Sequence, residues 1–329
     1  MVKFDKNSPY IIIGITTNQT FLPNSHGKSY LFTFKVSKNK TLQFMHKTEI
    51  EEIPQVVSNF HNKLLVASKN IIRLYELGQK QLLKKSTTVI NFLTNIIKII
   101  PQSNRIIISD SHSSSIVFAK FDNLENQFIP IADDIIKRQV ISMFPIDSDT
   151  ILTSDKFGNL GVSRIDENIS RQIEEDWTIL KNSESIYNSC PFKLINLIDF
   201  HLGEIITKFQ FINNNESILY CGIFGTLGVL TPLISKKEVE LLINLQLELQ
   251  NIIKNELGKD HLKFRSYYNP MKNIIDGDLL EKFHQLSNGE KSEIAKRLNK
   301  TINDIEKKLN DLKNRSFISS FWVSTVLYL

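Results

Sequence analysis

Short apolar runs separated by polar turns dominate the chain from Tyr10 to about Pro232. The runs are rich in β-branched residues, and Asn, Ser, Asp and Gly break them, which is the pattern of strands and tight turns. One shape recurs: an apolar strand, a tight polar turn and a second apolar strand. It appears at Leu64 to Leu77 (LLVASKNIIRLYEL), Arg105 to Phe121 (RIIISDSHSSSIVFAKF), Thr150 to Ile165 (TILTSDKFGNLGVSRI) and Ser217 to Leu233 (SILYCGIFGTLGVLTPL). A longer version runs from Tyr10 to Val36, its turn expanded by Thr16 to Gly27. The middle three are centred roughly 40–45 residues apart, the period of four-stranded propeller blades. The longer step to the last is absorbed by the polar stretch Asp166 to Ser189, read as an insertion loop. No Trp-Asp dipeptide closes a repeat. The expected fold is therefore mainly β, a partial β-propeller of about five blades that is WD-like but lacks the WD signature. An open propeller exposes two edge strands, so the remaining blades are expected on further sequence or on another chain.

After Ser235 the period lengthens from two residues to about 3.6. Leu242, Leu245, Leu249 and Ile252 predict one face of a helix over Glu238 to Leu257, with Gly258 just past its end. Asp278-Leu279-Leu280-Glu281 reads as a capping box opening the next helix, with Leu279, Phe283 and Leu286 as its apolar positions. Two more helices are expected around Lys291 to Leu298 and Thr301 to Lys313. The second has Thr301 as N-cap and Ile302, Ile305, Leu309 and Leu312 on one stripe. The predicted organisation is a partial propeller over 1–235, a small C-terminal α-helical domain with its linker over 236–315, and an apolar tail over 316–329.

Composition narrows the class of function. A chain of 329 residues with 41% hydrophobic and 23% charged residues can bury a real core. Its formal net charge of +5 is mild. Dedicated nucleic-acid binders concentrate far more positive charge on one face, whereas Lys84-Lys85, Lys236-Lys237 and Lys307-Lys308 are scattered. The two cysteines, Cys190 and Cys221, form no CxxC pair, which fits a reducing compartment without a disulfide framework or zinc site. The apolar run near the start reads as a strand, without the small-residue cleavage site of a signal peptide. Phe317 to Leu329 is shorter than the ~20 residues a membrane span needs. A soluble intracellular protein is expected, with no membrane partner.

Catalytic motifs are sparse. The sequence contains no P-loop, HExxH or GxSxG. Gly222, Gly225 and Gly228 are spaced GxxGxxG, but strand-like sequence follows them, so they read as a hairpin turn. Asp276-Gly277-Asp278 lacks the alternating oxygen ligands of a calcium loop and reads as a turn with a helix cap. Asp155-Lys156-Phe157-Gly158-Asn159 reads as another hairpin turn. His201 reads as a hydrogen-bonded structural residue. No enzyme activity, cofactor, metal or small-molecule substrate is expected. The densest unusual segment is His261 to Leu279, HLKFRSYYNPMKNIIDGDL. Tyr, Arg and Met are enriched at protein interfaces, and the candidate interface residues are Phe264, Arg265, Tyr267, Tyr268, Lys272, Asp276 and Asp278. The same aromatics would equally serve to dock the helices onto the strands, and the sequence leaves both readings open.

That segment closely resembles the stretch before the C-terminal helices in the large propeller subunit of splicing factor 3b. Further pieces match in the same order: Phe44-x-His46-Lys47-Thr48, Arg73 to Gly78 (RLYELG), Ala132-Asp133-Asp134, Asp155 to Asn159, His201-Leu202-Gly203-Glu204 and Lys307-Lys308-Leu309-x-Asp311. The resemblance covers roughly Tyr10 to Arg315. The same superfamily holds the damaged-DNA-binding adaptor of cullin ubiquitin ligases and the large subunit of the cleavage and polyadenylation factor. His-Leu-Gly-Glu and Ile-Asp-Gly-Asp-Leu are shared with the adaptor, which keeps a ligase adaptor as the alternative. Phe264 to Tyr268 followed by Pro270, Lys272 and Asn273, together with DKFGN, point to the splicing branch.

The resemblance implies a non-catalytic nuclear scaffold in the U2 small nuclear ribonucleoprotein. It would support branch-site recognition in pre-mRNA splicing by holding the HEAT-repeat subunit and a small companion subunit, with RNA contact indirect or weak. Full-length members are several times longer, so the chain is expected to begin partway through a third propeller. It could then be a truncated product without independent function. The tail Ser316 to Leu329 has no counterpart in the resemblance.

Overall fold

The computed structural model describes residues 2–5, 8–21, 24–111, 116–182, 190–212, 217–233, 235–255, 257–315 and 325–328. Each hairpin read from the sequence forms two neighbouring antiparallel inner strands of a sheet. The first sheet orders Val2–Asp5, Ser8–Thr16, Ser29–Val36 and Leu42–Ile50. The second is the meander Val56–Phe60, Lys63–Ser68, Ile71–Leu77, Leu82–Val89. The third runs Ile96–Gln102, Arg105–Asp110, Ile116–Asp122, Gln127–Asp133, and gains Phe192–Lys193 as a parallel edge. The fourth combines Val140–Pro145, Thr150–Asp155, Asn159–Arg164 and Ile195–His201. The fifth begins with Ile206–Ile212, Ser217–Gly222 and Leu227–Leu233. Four-stranded meanders in series give a partial propeller-like β fold.

The central strands explain the sequence pattern. Lys63–Ser68 and Arg105–Asp110 are buried on both faces, so they read as continuous apolar runs. Ser29–Val36 is buried at alternate residues, Ser29, Leu31 and Thr33, while aromatic Tyr30, Phe32 and Phe34 between them are only half-buried.

The chain forms two compact units. One comprises Met1–Gln139, Asp147–Asp149 and Ile165–Ile195. Its core joins Phe60, Leu65, Leu74, Ile96, Ile106, Val117, Phe121 and Phe128. The expected insertion loop contains helices α1 (Glu167–Glu175) and α2 (Ile179–Asn182). The first is capped by the Asp166 side chain, which accepts from Asn168 N at 2.9 Å. Arg105, buried in the third sheet, anchors it by bonding Asp149, Ser170 and Glu174.

The other unit comprises Val140–Ile146, Thr150–Arg164 and Asn196–Leu329, and among its described residues carries five α-helices. These are α3 (Lys236–Ile252), α4 (His261–Phe264), α5 (Gly277–Glu281), α6 (Asn288–Arg297) and α7 (Ile302–Arg315). Leu242, Leu245 and Leu249 of α3 meet Leu279, Phe283, Ile294, Ile305, Leu309 and Leu312 in one cluster. The 3.6-residue stripe predicts this face except at its end. Helix α3 stops at Ile252, with Ile253 N–H bonding Leu249 O, rather than reaching Leu257. Ile252 lies on the exposed side, and Ile253 joins the core in its place. The reason is Asn255, whose side-chain oxygen accepts from Leu257 N at 3.1 Å and Lys259 N at 3.0 Å. These local bonds compete with helix continuation, and Gly258 at φ +64° completes the turn.

The helix starts also refine the sequence reading. Asp276, not Asp278, is the N-cap of α5, accepting from Asp278 N and Leu279 N. Helix α6 starts earlier than expected, at a capping box in which Ser287 and Glu290 satisfy each other's backbone N–H. Thr301 caps α7: its hydroxyl accepts from Asp304 N at 3.2 Å, and Asp304 Oδ2 accepts in return from Thr301 N.

Candidate functional site

The segment His261–Leu279 links α4 to α5 and lies within one compact unit, together with the DKFGN hairpin and the HLGE turn. In the hairpin, buried Asp155 accepts from Phe157 N and Asn159 N, both at 2.9 Å, and from Asn159 Nδ2 at 2.8 Å. This fixes the turn and pushes Phe157 outward. Gly158 adopts φ +80°, and a Cβ there would sit 2.8 Å from Glu204 N. Its carbonyl accepts from Leu202 N at 2.9 Å, so the HLGE turn is laid directly on the hairpin. Glu204 Oε1 in turn accepts from Phe224 N in the Gly222–Gly228 hairpin. The three glycine-containing motifs are thus turn hardware stacked on one another.

Arg265 is the anchor of the linker. Its guanidinium meets Asp276 twice, Nε to Oδ2 at 2.6 Å and Nη2 to Oδ1 at 3.2 Å. Nη2 also donates to Asp278 Oδ2 at 2.9 Å, and Nη1 to Leu202 O at 3.3 Å. The group lies about 5 Å from the ring centres of Phe200 and Phe264. Both Arg265 and Asp276 are buried, at 7% and 1% exposure. His261 Nε2 lies 2.8 Å from Asp276 Oδ2, and its Nδ1 lies 2.9 Å from Gln250 Nε2. An amide nitrogen only donates, so Nδ1 accepts and Nε2–H points to the carboxylate. The Asp276 backbone N–H donates to Gln246 Oε1 at 2.8 Å.

The electrostatics follow from this arrangement. Burial works to raise the Asp276 carboxyl, but the His261 hydrogen bond and the Arg265 charge hold it below the usual carboxylate value. Asp278 goes the other way, pushed up to about 7 by burial and by the adjacent Asp276 charge, with Arg265 only partly offsetting them. Its side chain nevertheless keeps 42% exposure. Arg265 is held above its ordinary value against burial by Asp276 and Asp278. His201 is lowered by burial and then by the Arg265 charge.

From this buried anchor the chain turns outward into two tyrosines. The Tyr267 ring stacks with Phe157 and with His201, each at a centroid distance of 5.5 Å and with interplanar angles of 18° and 21°. Tyr268 meets Tyr267 edge-on at 5.3 Å and donates its hydroxyl to Asp155. His201 Nδ1 lies 2.9 Å from Asn159 Oδ1, and its backbone N–H donates to Arg265 O at 3.0 Å. Tyr267, Tyr268 and Phe157 remain 58%, 43% and 42% exposed. They form an aromatic surface on a polar, hydrogen-bonded base. Lys272 lies at one side, its ammonium donating to Asn196 O at 2.6 Å while its backbone pairs with Asp199.

The seven candidate residues therefore divide. Arg265, Asp276 and half-buried Phe264 form the support, Asp278 lies at its margin, and Tyr267, Tyr268 and Lys272 face out. Phe157, from the predicted DKFGN turn, and His201, the hydrogen-bonded residue of the HLGE segment, complete the surface. Gln246 and Gln250 complete the base. Their signal was available as polar residues four apart beside the apolar stripe of α3. No group of three or more His, Cys, Asp and Glu among the described residues is placed to hold a metal. No helix among them is long and apolar enough to cross a membrane.

Comparison with known proteins gives a consistent match. The family model described as the CPSF A subunit region matches residues 1–285. The chain is 60% identical to the pre-mRNA-splicing factor RSE1 of Candida albicans, over 96% of this chain and 27% of that protein. It is 46% identical to the RSE1 of Debaryomyces hansenii, over 94% of this chain and 27% of that protein. It is 32% identical to splicing factor 3B subunit 3 of Danio rerio, over 93% of this chain and 26% of that protein. The chain thus spans about a quarter of the length of the curated relatives it matches.

Proposed function

Because this chain belongs to the CPSF A subunit region family, we propose that it acts in pre-mRNA splicing as a scaffold portion of a splicing factor 3b subunit. The names of its relatives, pre-mRNA-splicing factor RSE1 and splicing factor 3B subunit 3, support the process. The reading makes it a nuclear component of the U2 particle that works by surface complementarity, without turnover. Its partners are the HEAT-repeat subunit and the small companion subunit of splicing factor 3b.

The observation that carries the surface assignment is the Phe157–Tyr267–Tyr268 cluster, exposed yet held rigid by stacking and by the Arg265–Asp276 anchor. Rigid aromatics contribute large contact area at little entropic cost, as interface anchors do.

The test is affinity capture of the tagged full chain from its native cells, followed by mass spectrometry. Recovery of splicing factor 3b components, lost on Phe157→Ala with Tyr267→Ala, is the expected result. Arg265 is left intact, because its removal would strand a buried Asp276 and confuse unfolding with lost contact. Undiminished recovery by the folded double variant would remove the aromatic cluster from the interface. Recovery of none of these components by the unaltered chain would remove the scaffold reading itself.

A further inference from the structure

Within the unit that contains α1 and α2, a cavity of about 240 Å³ opens where these helices meet the loop between strands Ile116–Asp122 and Gln127–Asp133. Its apolar lining is Phe121, Leu124, Ile129, Trp177 and Leu180. Each wall is held in place. Phe121 belongs to the sheet core and meets Phe60 edge-on at 5.2 Å. Lys120 Nζ donates to Ile173 O at 3.0 Å and to Glu174 Oε2 at 3.1 Å, which ties α1 to the sheet. Asp176 Oδ1 accepts from Thr178 N at 3.0 Å and fixes the turn that carries Trp177. Asp122 Oδ1 accepts from Leu124 N at 2.9 Å and fixes a loop whose Leu124 is 81% exposed. A large apolar side chain held in water beside an apolar cavity extends that cavity into a patch, unlike a Leu scattered singly on a surface. The charge around it is one-sided. Asp122 lines the cavity, Glu125 follows Leu124, and Glu175 and Asp176 precede Trp177, the last three exposed. Lys120 is the one cation among the lining residues, and its ammonium is already held by Ile173 and Glu174.

We propose that this cavity docks one aromatic side chain of a basic peptide segment, with Lys or Arg on either side of the ring lying against the acidic rim. The volume falls below the ~300–1,000 Å³ of sites for drug-sized ligands and suits a single ring. Phe121 and Trp177 supply aromatic wall for edge-on or offset contact. The carboxylates select the partner by charge and speed its approach more than they add affinity, because they lie exposed at the rim. The same carboxylates repel a phosphate backbone, so the partner is a polypeptide and not a nucleic acid. The cavity and the Phe157–Tyr267–Tyr268 surface belong to different units, and the proposal does not rest on the splicing reading.

The test titrates the full chain with three amidated peptides, KKFKK, KKAKK and EEFEE, by isothermal titration calorimetry. KKFKK is expected to bind at least tenfold more tightly than either of the others. Leu124→Ala, at an exposed position, should weaken KKFKK severalfold while leaving the circular dichroism spectrum unchanged. Glu125→Lys with Glu175→Lys should weaken KKFKK at least tenfold and bring EEFEE in its place. Glu174 is left intact because it bonds buried Arg105. Absence of KKFKK binding to the unaltered chain overturns the proposal. So does equal affinity for KKFKK and KKAKK, or an unchanged KKFKK affinity in either folded variant.

Discussion

Arg265 and Asp276 are joined by two parallel hydrogen bonds, at 2.6 and 3.2 Å, in a setting almost closed to solvent. The pair ties three pieces of structure together. Arg265 ends α4 as its C-cap, Asp276 caps α5, and Arg265 also reaches the Leu202 carbonyl of the HLGE turn. A fork-to-fork guanidinium–carboxylate contact fixes orientation as well as distance. The direction in which Tyr267 and Tyr268 leave the linker is therefore set by a contact neither residue makes.

Removing one partner should cost far more than removing a surface ion pair. Asp276→Ala leaves Arg265 and His261 without their acceptor and uncaps α5. The expected loss is ~3–5 kcal/mol, read by urea denaturation followed at 222 nm, where the helices dominate. Arg171→Ala, which breaks the exposed pair with Glu167, should change the same midpoint by less than ~0.5 kcal/mol. Similar shifts for the two variants would mean that the buried pair does not hold the linker.

Two neighbouring carboxyls give opposite pH dependence. Asp276 sits below its ordinary value of 3.8 when folded, so its stabilisation is complete above that value and is lost as pH falls through the folded value. Asp278 is raised to about 7. Its folded form holds a proton that the unfolded chain releases above 3.8, so its contribution is present below 3.8 and is lost as pH rises toward 7. Between about pH 4 and 7 the Asp278 contribution should decline as pH rises. Its 42% side-chain exposure limits the fall to the order of 1 kcal/mol. Asp278→Asn should flatten the profile. An equally steep decline in the variant would assign the effect to another group.

Much of this was legible in the sequence, for identifiable reasons. Hairpins such as Thr150–Asp155 with Asn159–Arg164 declare themselves because apolar strands flank a turn that needs Gly at positive φ. The stripe Leu242, Leu245, Leu249 declares α3 because one face is buried. The end of α3 was hidden because a single Asn side chain terminates it. The aromatic surface was only half legible. HLKFRSYY is conspicuous as composition, but Tyr267 acquires its neighbours Phe157 and His201 from more than sixty residues away, and no local pattern encodes that meeting. The place of Thr325–Tyr328 beside Leu227–Leu233 in the fifth sheet was invisible because the two strands are not adjacent in sequence.

Gly158 provides a test of the stacked turns. At φ +80°, with Glu204 N 2.8 Å from a would-be Cβ, Gly158→Ala meets both backbone strain and a backbone clash. The expected cost exceeds the ~1 kcal/mol of the conformation alone. It should be accompanied by faster hydrogen exchange at Leu202 N–H, which donates to the Gly158 carbonyl. Gly203→Ala has positive φ but open space around the new Cβ, so it should show the strain without the clash. If both variants lose the same stability, the close approach of the two turns contributes nothing.

Gln246 separates the sequence view of the helical core from the structural one. It follows Leu245 on α3 and is buried, so hydrophobic patterning would favour Gln246→Leu as a stabilising change. In the structure its Oε1 accepts the Asp276 backbone N–H at 2.8 Å, at the entry to α5 where that N–H faces away from water. Leucine supplies apolar contact but leaves a buried donor unpaired, a penalty of about 1–3 kcal/mol. The gain from one added apolar side chain is comparable only if it packs without strain. The variant should therefore be less stable by urea denaturation at 222 nm. The Asp276 amide should also exchange faster, a local signature that general core disruption would not confine to one residue. Gln246→Glu keeps an acceptor and separates loss of the hydrogen bond from change of shape. It should retain slow exchange at Asp276, while a leucine variant with equally slow exchange would show that the amide needs no partner there.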